Sequence, residues 1–187
     1  PNVSGIGLEN AGVKFTKKGI QVDEYLRTAQ PNIYASGDVL DKAVPKLTPT
    51  ATFESDYIAA HILGINPEPL KYPAIPMVLY TLPRLSSIGV TVEEAKQDDL
   101  YTVKTIPFGE RLLFEYKNET EAEMDIIIDD QKRLVGAEIY GNDAADLINV
   151  LTFAVNQKVT AQDLSTMIFA FPSPSSGVID LLKFELL

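Results

Sequence analysis

Four prolines crowd one short stretch near the middle of the chain, at Pro67, Pro69, Pro73 and Pro76. Proline fixes its backbone φ angle and has no N–H to donate, so the interior of a helix or of a central strand excludes such a cluster. We therefore predict a linker here, between two parts of the chain that are organised differently.

The overall composition is that of an ordinary globular protein. The chain has 187 residues, of which 45% are hydrophobic and 22% charged, enough for one or two domains with a real core. No apolar run approaches the roughly 18 residues of a bilayer crossing, and no basic-then-apolar leader is present, so we expect a cytoplasmic protein without membrane contact. The net charge of -10 argues against a nucleic-acid partner. Cysteine is absent, which excludes disulfides and thiol catalysis within this chain.

Upstream of the linker, residues 32–38 form a short apolar run that ends in Gly37 and Asp38. We predict a strand with a carboxylate at its carboxyl end, where open α/β sheets bind ligands. Gly37 would let the backbone approach a ligand closely. A strand closed by Gly-Asp is also a common way to enter a turn, and the pattern alone does not separate the two interpretations.

A helix is predicted to follow this run. Thr48 suits the N-cap, Pro49 the first helical position, and Gly64 the left-handed residue after the last turn. The helix start would place partly positive N–H groups near Asp38. A carboxylate binds hydroxyl groups and a helix start binds negative charge, so both could serve one ligand.

Downstream of the linker, alternating apolar residues predict an antiparallel sheet. Two alternating runs flank a polar turn at residues 130–132 and predict a hairpin, and a helical stripe over residues 142–157 would cover one face of the sheet. Further strands are predicted at residues 77–81, 85–90 and 101–107, and a helix start at residues 91–95. The fold class is therefore α+β, with an antiparallel sheet and helices on one side.

Several of these segments together resemble a known family, the FAD-dependent pyridine nucleotide-disulfide oxidoreductases, such as glutathione reductase, dihydrolipoamide dehydrogenase and mercuric reductase. The resemblance rests on residues 7–13, 20–24, 27–28 and 31–38 and continues to the end of the chain. It implies that Asp38, beside Gly37, bonds the ribityl chain of FAD. It also implies that Leu47 and Thr48 lie beside the pyrimidine side of the flavin.

The resemblance also implies a domain organisation. Residues 1–26 correspond to the end of an NAD(P)-binding domain, 27–68 to the end of an FAD-binding domain, and 69–187 to an interface domain that forms a homodimer. The Gly-rich fingerprint and the cysteine pair of the family are absent, so we expect a carboxyl-terminal portion of a longer enzyme. That enzyme would move electrons from NAD(P)H through FAD to a disulfide or another small acceptor.

Two functions remain open for the chain itself. In the first, it supplies part of a flavin site and the dimer contact of such an enzyme, and the isolated chain does not retain FAD. In the second, it is a non-catalytic, self-associating module. Apolar residues at positions 178–182 of a final helix are expected to be exposed and to drive the association.

No catalytic residue is predicted in this chain. Phe171 and Ser176 stand where the family has an interface His and a Glu, and neither can replace that acid-base pair. The only histidine, His61, is expected on the solvent face of its helix. No metal site is predicted, because alternating acids on a strand are typical of a solvated face. These acids are Glu119, Glu121, Glu123 and Asp125.

Overall fold

The computed structural model describes residues 1–187 and divides into two compact units, Pro1–Tyr72 and Pro73–Leu187. The elements of the first are β1 (Phe15–Thr16), β2 (Gly19–Ile20) and α1 (Thr48–Ile62). The second contains β3 (Met77–Leu79), β4 (Arg84–Gly89), α2 (Val92–Ala95), β5 (Thr102–Ile106), α3 (Leu112–Glu115), β6 (Glu123–Ile128), β7 (Leu134–Gly141), α4 (Ala144–Gln157), α5 (Ala161–Ser165) and α6 (Pro174–Glu185). None of these helices combines the length and the apolar content that a bilayer crossing requires.

The first unit has little regular structure besides α1. Its core is a cluster of buried side chains from the loops, β2 and α1: Val3, Val13, Ile20, Leu26, Ala35, Leu40 and Tyr57. The predicted strand at residues 32–38 is wrong: Tyr34 makes only an isolated bridge to Arg27, and Gly37–Val39 form a single 3₁₀ turn. The reason is that this unit contains only two-residue strands, so the segment has no long strand to pair with.

Helix α1 begins one residue earlier than predicted. Leu47, with extended backbone angles, is the N-cap, and its carbonyl accepts the N–H of Ala51 at 3.0 Å. Thr48 and Pro49 therefore occupy the first two helical positions, and proline is tolerated at the second because the first-turn N–H groups lack intrahelical partners anyway. The predicted end is confirmed, since Gly64 has a φ angle of +71° immediately after the last turn.

The second unit contains the predicted antiparallel sheet. Its five strands lie in the order β3-β4-β7-β6-β5. The predicted hairpin is β6-β7, closed by the turn at residues 129–133, in which Lys132 has a positive φ angle. The alternation in its sequence works because every second side chain faces the core: Met124, Ile126 and Ile128 on β6 and Ala137 and Ile139 on β7 are buried.

Helices α4 and α6 cover this apolar face of the sheet, which confirms the α+β fold with helices on one side. The predicted stripe on α4 is buried through Ala144, Leu147, Ile148, Leu151 and Ala154. The helix start predicted at residues 91–95 is confirmed as the short α2, which lies on the opposite face, where the N–H of Val92 donates to the Glu138 carboxylate at 3.0 Å.

The expectation about the final helix is wrong. Val178, Ile179 and Leu182 of α6 are buried in the core of the second unit instead of being exposed. Helical periodicity places these three side chains on one face, and that face packs against the unit's own core. The exposed apolar side chains on α6 and in the segment that leads into it include Phe171 and Phe184.

Three short segments carry complete capping boxes. Thr91 with Glu94 begins α2, Thr160 with Asp163 begins α5, and Ser173 with Ser176 begins α6. In each, the side chain of the cap accepts the N–H three residues later, and the reciprocal bond returns to the cap. The caps define the starts of helices as short as the four residues of α2, which packing alone would specify poorly.

Candidate functional site

The Gly37–Asp38 turn and the start of α1 line one open concavity of about 580 Å³ in the first unit. Its wall is rich in hydroxyl groups and carries one carboxylate and one ammonium group. The lining residues are Ser36, Gly37, Asp38, Lys46, Thr48, Ala51, Thr52 and Ser55. The structure thus brings Asp38 and Thr48 to one surface, while Leu47 lines a smaller cavity next to it together with Gly37.

The Asp38 side chain is exposed, and its carboxylate accepts no hydrogen bond from the chain. The Lys46 ammonium group lies close by, donating to the backbone oxygen of Asp38 at 2.8 Å. The carboxylate therefore keeps its full capacity to accept bonds from an external hydroxyl group.

Gly37 is packed tightly against α1. Its φ angle is +75°, and a Cβ atom at this position would lie 3.1 Å from the Cβ of Ala51. The missing side chain is what allows the turn to approach the helix this closely. The backbone of the turn and the first turn of α1 consequently face the same open concavity.

Two hydrogen bonds tie the turn to α1. The N–H of Gly37 donates to Oε2 of Glu54 at 2.5 Å, and the Ser36 hydroxyl lies 3.0 Å from the Ser55 hydroxyl. Because Ser55 already donates to the carbonyl of Ala51 at 2.8 Å, Ser36 is the donor of that pair. Two successive residues of the turn are thus held by two successive residues of the helix.

Glu54 and its second partner, Tyr72, were not predicted from the sequence. The side chain of Glu54 is buried, and its Oε1 accepts the phenol O–H of Tyr72 at 2.6 Å. Burial, together with this bond to the carboxylate, raises the pKa of Tyr72 well above its usual range. The Lys42 ammonium group lies 5.6 Å from the centre of the Tyr72 ring. Burial lowers the pKa of Lys42, and the charge of Glu54 opposes that shift.

The second unit carries a large apolar groove of about 780 Å³ between α3 and α6. Phe171 and Phe184, on opposite ends of the α6 segment, are 84% and 78% exposed, and Leu112 and Tyr116 at α3 are also largely exposed. Arg111 and Asp180 line the same groove. Such a concentration of exposed large apolar groups is typical of an interaction surface.

Phe171 and Ser176, which stand where the family has an acid-base pair, both line this groove but have different roles. Ser176 is buried and serves the capping box of α6, with its hydroxyl donating to the carbonyl of Ser173 at 2.9 Å. The Phe171 ring projects into solvent. Neither residue titrates near neutral pH, so this end of α6 holds no acid-base group.

The prediction that His61 faces solvent is wrong. Its ring is half-buried and stacks on Tyr57 at a centroid distance of 5.8 Å, with Tyr25 at 5.0 Å. Its Nδ1 lies 3.0 Å from the carbonyl oxygen of Asn66, so Nδ1 carries the proton of this bond. Tyr57 lies four residues earlier on α1, but Tyr25 comes from a loop distant in sequence, which helical periodicity does not reveal.

The acidic residues at and before β6 do not gather around one point. Asp125 bonds the Thr105 hydroxyl on the neighbouring strand, and Glu119 accepts the N–H of Asn142 at 2.9 Å. No group of three or more His, Cys, Asp or Glu side chains is placed to share a metal ion. Asp125 and Glu119 thus act as hydrogen-bond partners within the fold.

Comparison with known families decides what this arrangement belongs to. Residues 75–180 match the model of the pyridine nucleotide-disulphide oxidoreductase dimerisation domain, and residues 1–55 match the pyridine nucleotide-disulphide oxidoreductase model. The chain belongs to this family. Most residues that line the apolar groove lie within the part that matches the dimerisation domain, and its last three, Leu181, Phe184 and Glu185, follow directly after that match. The Gly37–Asp38 turn lies within the other match.

Individual relatives agree with this assignment. The chain is 33% identical to an uncharacterized 19.7 kDa protein in the mercuric resistance operon of Staphylococcus aureus, with 95% of this chain and 100% of that protein covered. It is 36% identical to dihydrolipoyl dehydrogenase of Bacillus subtilis, where 92% of this chain matches 37% of the enzyme.

Among solved structures, the HOCl-induced flavoprotein disulfide reductase RclA from Escherichia coli superposes with a TM-score of 0.83 at 26% identity. The match covers 97% of this chain and 42% of that protein. The chain therefore spans the whole of the Staphylococcus protein but well under half of the dihydrolipoyl dehydrogenase and of RclA.

Proposed function

We propose that this chain acts as the self-associating part of an FAD-dependent NAD(P)H oxidoreductase and contributes one wall of the flavin site. In this proposal, residues 1–26 close an NAD(P)-binding domain, 27–68 close an FAD-binding domain, and 69–187 form the homodimer contact. The observation that carries the proposal is the exposed apolar groove between α3 and α6, most of whose lining residues lie in the segment that matches a dimerisation domain.

The occupant of the groove is a second copy of this chain. In a two-fold contact each surface meets its own copy, so a self-complementary surface needs apolar area and both signs of charge. The groove offers Phe171, Phe184 and Leu112 together with Arg111 and Asp180. Burying these side chains against a copy would remove a large exposed apolar area from water.

The Gly37–Asp38 concavity fits part of a flavin cofactor. A ribityl chain presents several hydroxyl groups, and the exposed Asp38 carboxylate, which accepts no bond from the chain, suits one or two of them. Thr48 and Leu47 at the start of α1 would lie along the flavin ring, where the partly positive helix start favours electron-rich oxygens. FAD, when bound, supplies the electron-carrying chemistry.

In this proposal, the residues of this chain hold and orient the flavin, and they do not transfer protons to or from a substrate. Phe171 cannot act as an acid or a base, and the absence of cysteine leaves no thiolate for disulfide exchange within the chain. Reduction of a disulfide or another acceptor therefore depends on groups outside these residues. The chain alone is expected to be inactive and to lose FAD during purification, since it offers only one wall of the site.

Light scattering on the purified chain tests the self-association directly. A mass of two chains at micromolar concentration, falling toward one chain on dilution, is the expected result. A mass of one chain at every concentration would contradict the proposal. The second candidate, a module with no flavin contact, is favoured instead if the chain dimerises but excess FAD leaves the amide resonances of Asp38 and Thr48 unchanged.

A further inference from the structure

The buried carboxylate of Glu54 joins two segments that are far apart in the sequence. One oxygen holds the N–H of Gly37 at 2.5 Å, and the other holds the phenol of Tyr72 at 2.6 Å. At 1% exposure, this side chain has lost nearly all contact with water. A buried carboxylate is tolerated only when hydrogen bonds replace its hydration, so both bonds are needed for the burial.

The two partners have different positions in the unit. Gly37 immediately precedes Asp38, whose carboxylate faces the concavity, and Tyr72 is the last residue of the first unit. The phenol keeps its proton because burial and the bond to Glu54 raise its pKa. Tyr72 therefore remains a donor to Glu54 throughout the physiological pH range.

We infer that Glu54 is the positioning residue of the Gly37–Asp38 turn and that Tyr72 holds Glu54 in place, so that cofactor affinity at Asp38 depends on this three-residue chain of hydrogen bonds. The inference rests on the proposed flavin contact of that turn. Glu54 does not line the open concavity, so its effect on a ligand is transmitted through the backbone of Gly37.

The backbone of the turn gives a readout that needs no ligand. In Glu54→Gln, the Gly37 N–H loses its charged acceptor, and its hydrogen exchange should accelerate about ten- to a hundredfold, the range expected for a bond to a charged group. Asp56→Asn is the matched control, because Asp56 lies exposed on the same helix and makes no bond to the turn. Its Gly37 exchange should equal that of the wild type.

Titration with FAD itself gives the second readout, followed by the amide resonances of Asp38 and Thr48. Glu54→Gln should weaken FAD binding about tenfold. Tyr72→Phe should weaken it by a smaller factor, because it removes only the hydrogen bond from the phenol to Glu54. Asp56→Asn should leave FAD binding unchanged. Tyr72→Phe keeps the aromatic ring and leaves the Glu54 carboxylate in place. It therefore still tests the positioning role if Glu54→Gln does not fold.

The outcomes separate this inference from the proposed function. If wild-type and Glu54→Gln chains bind FAD equally, or if Gly37 exchange is the same in both, the positioning role is overturned while the flavin contact stands. If the wild-type chain shows no response to FAD, the flavin contact and the inference that rests on it are both overturned. The inference is supported only if Glu54→Gln and Tyr72→Phe both show faster Gly37 exchange and weaker FAD binding, while Asp56→Asn shows neither.

Discussion

Asn156 near the end of α4 clamps the backbone of Ala74 with both atoms of its side-chain amide. Its Oδ1 accepts the Ala74 N–H at 2.9 Å, and its Nδ2 donates to the Ala74 carbonyl at 3.1 Å. Nδ2 also reaches the carbonyl of Thr152 at 3.0 Å. The entry of the second unit is thereby fixed to the helix that covers its sheet, across a large separation in sequence.

Asn156→Ala should therefore destabilise the second unit by about 1 to 3 kcal/mol, because both polar groups of Ala74 lose their partners. Asn149→Ala on the same helix is the control, since Asn149 only bonds the carbonyl of Ala145 within its own helix. Urea unfolding followed by circular dichroism measures both. Equal losses in the two variants would show that the clamp contributes nothing beyond the helix.

Asp129 makes the turn between β6 and β7 sensitive to acid. Burial alone would raise its pKa, but bonds from the Arg133 side chain and from the N–H groups of Arg133 and Gln131 outweigh burial and hold the pKa below its ordinary value of 3.8. The Arg133 side chain places Nη2 at 2.6 Å and Nε at 2.8 Å from the carboxylate, and the backbone nitrogens of Arg133 and Gln131 both lie at 2.9 Å. The ionised form is therefore the one that the folded turn stabilises.

A carboxylate with a depressed pKa contributes stability that is complete above its unfolded pKa and is lost as the pH falls through the folded pKa. Asp129→Asn should accordingly lower the free energy of unfolding by about 1 to 2 kcal/mol at neutral pH, with a difference that shrinks toward zero below about pH 4. Asp130→Asn, at the exposed next position, is the control. A wild-type advantage that persists unchanged at low pH would contradict this assignment.

Gly37 should tolerate a side chain less well than Gly64, although both have positive φ angles, +75° and +71°. A Cβ atom at Gly64 would have no neighbouring atom within 4 Å. Gly64→Ala should therefore lower the free energy of unfolding by only about 1 kcal/mol, the cost of a left-handed backbone conformation for a residue with a side chain. Gly37→Ala adds a tight contact with Ala51 and should cost about 2 kcal/mol. Hydrogen exchange at the buried amide of Ala35 reports the stability of this unit, and a smaller effect at Gly37 than at Gly64 would refute the close packing.

Periodicity predicted the second unit well because its elements bury one regular face. The β6-β7 alternation and the α4 stripe each follow from a single repeat, and the side chains that they place inward are buried. The same reasoning failed for Val178, Ile179 and Leu182, because it identifies an apolar face but does not say whether that face meets the chain's own core or solvent.

The first unit was harder to predict, since its contacts join residues without any repeat. Glu54 has the sequence surroundings of an exposed helical acid, and its partners Gly37 and Tyr72 lie 17 and 18 residues away along the chain. His61 similarly meets Tyr25 and Tyr34 from separate loops. The site residues Gly37, Asp38, Leu47 and Thr48 were reached through family resemblance and turn chemistry, and their role with FAD stays a prediction.

The most direct measurement of the central claim is sedimentation equilibrium on three forms of the chain. Phe184→Glu places a charge in the groove between α3 and α6, and Leu100→Glu makes the same kind of change at a 60% exposed leucine outside it. We expect the wild type and Leu100→Glu to form dimers of equal affinity and Phe184→Glu to associate at least about tenfold more weakly. A monomeric wild type, or a Phe184→Glu variant that dimerises like the wild type, would contradict the account.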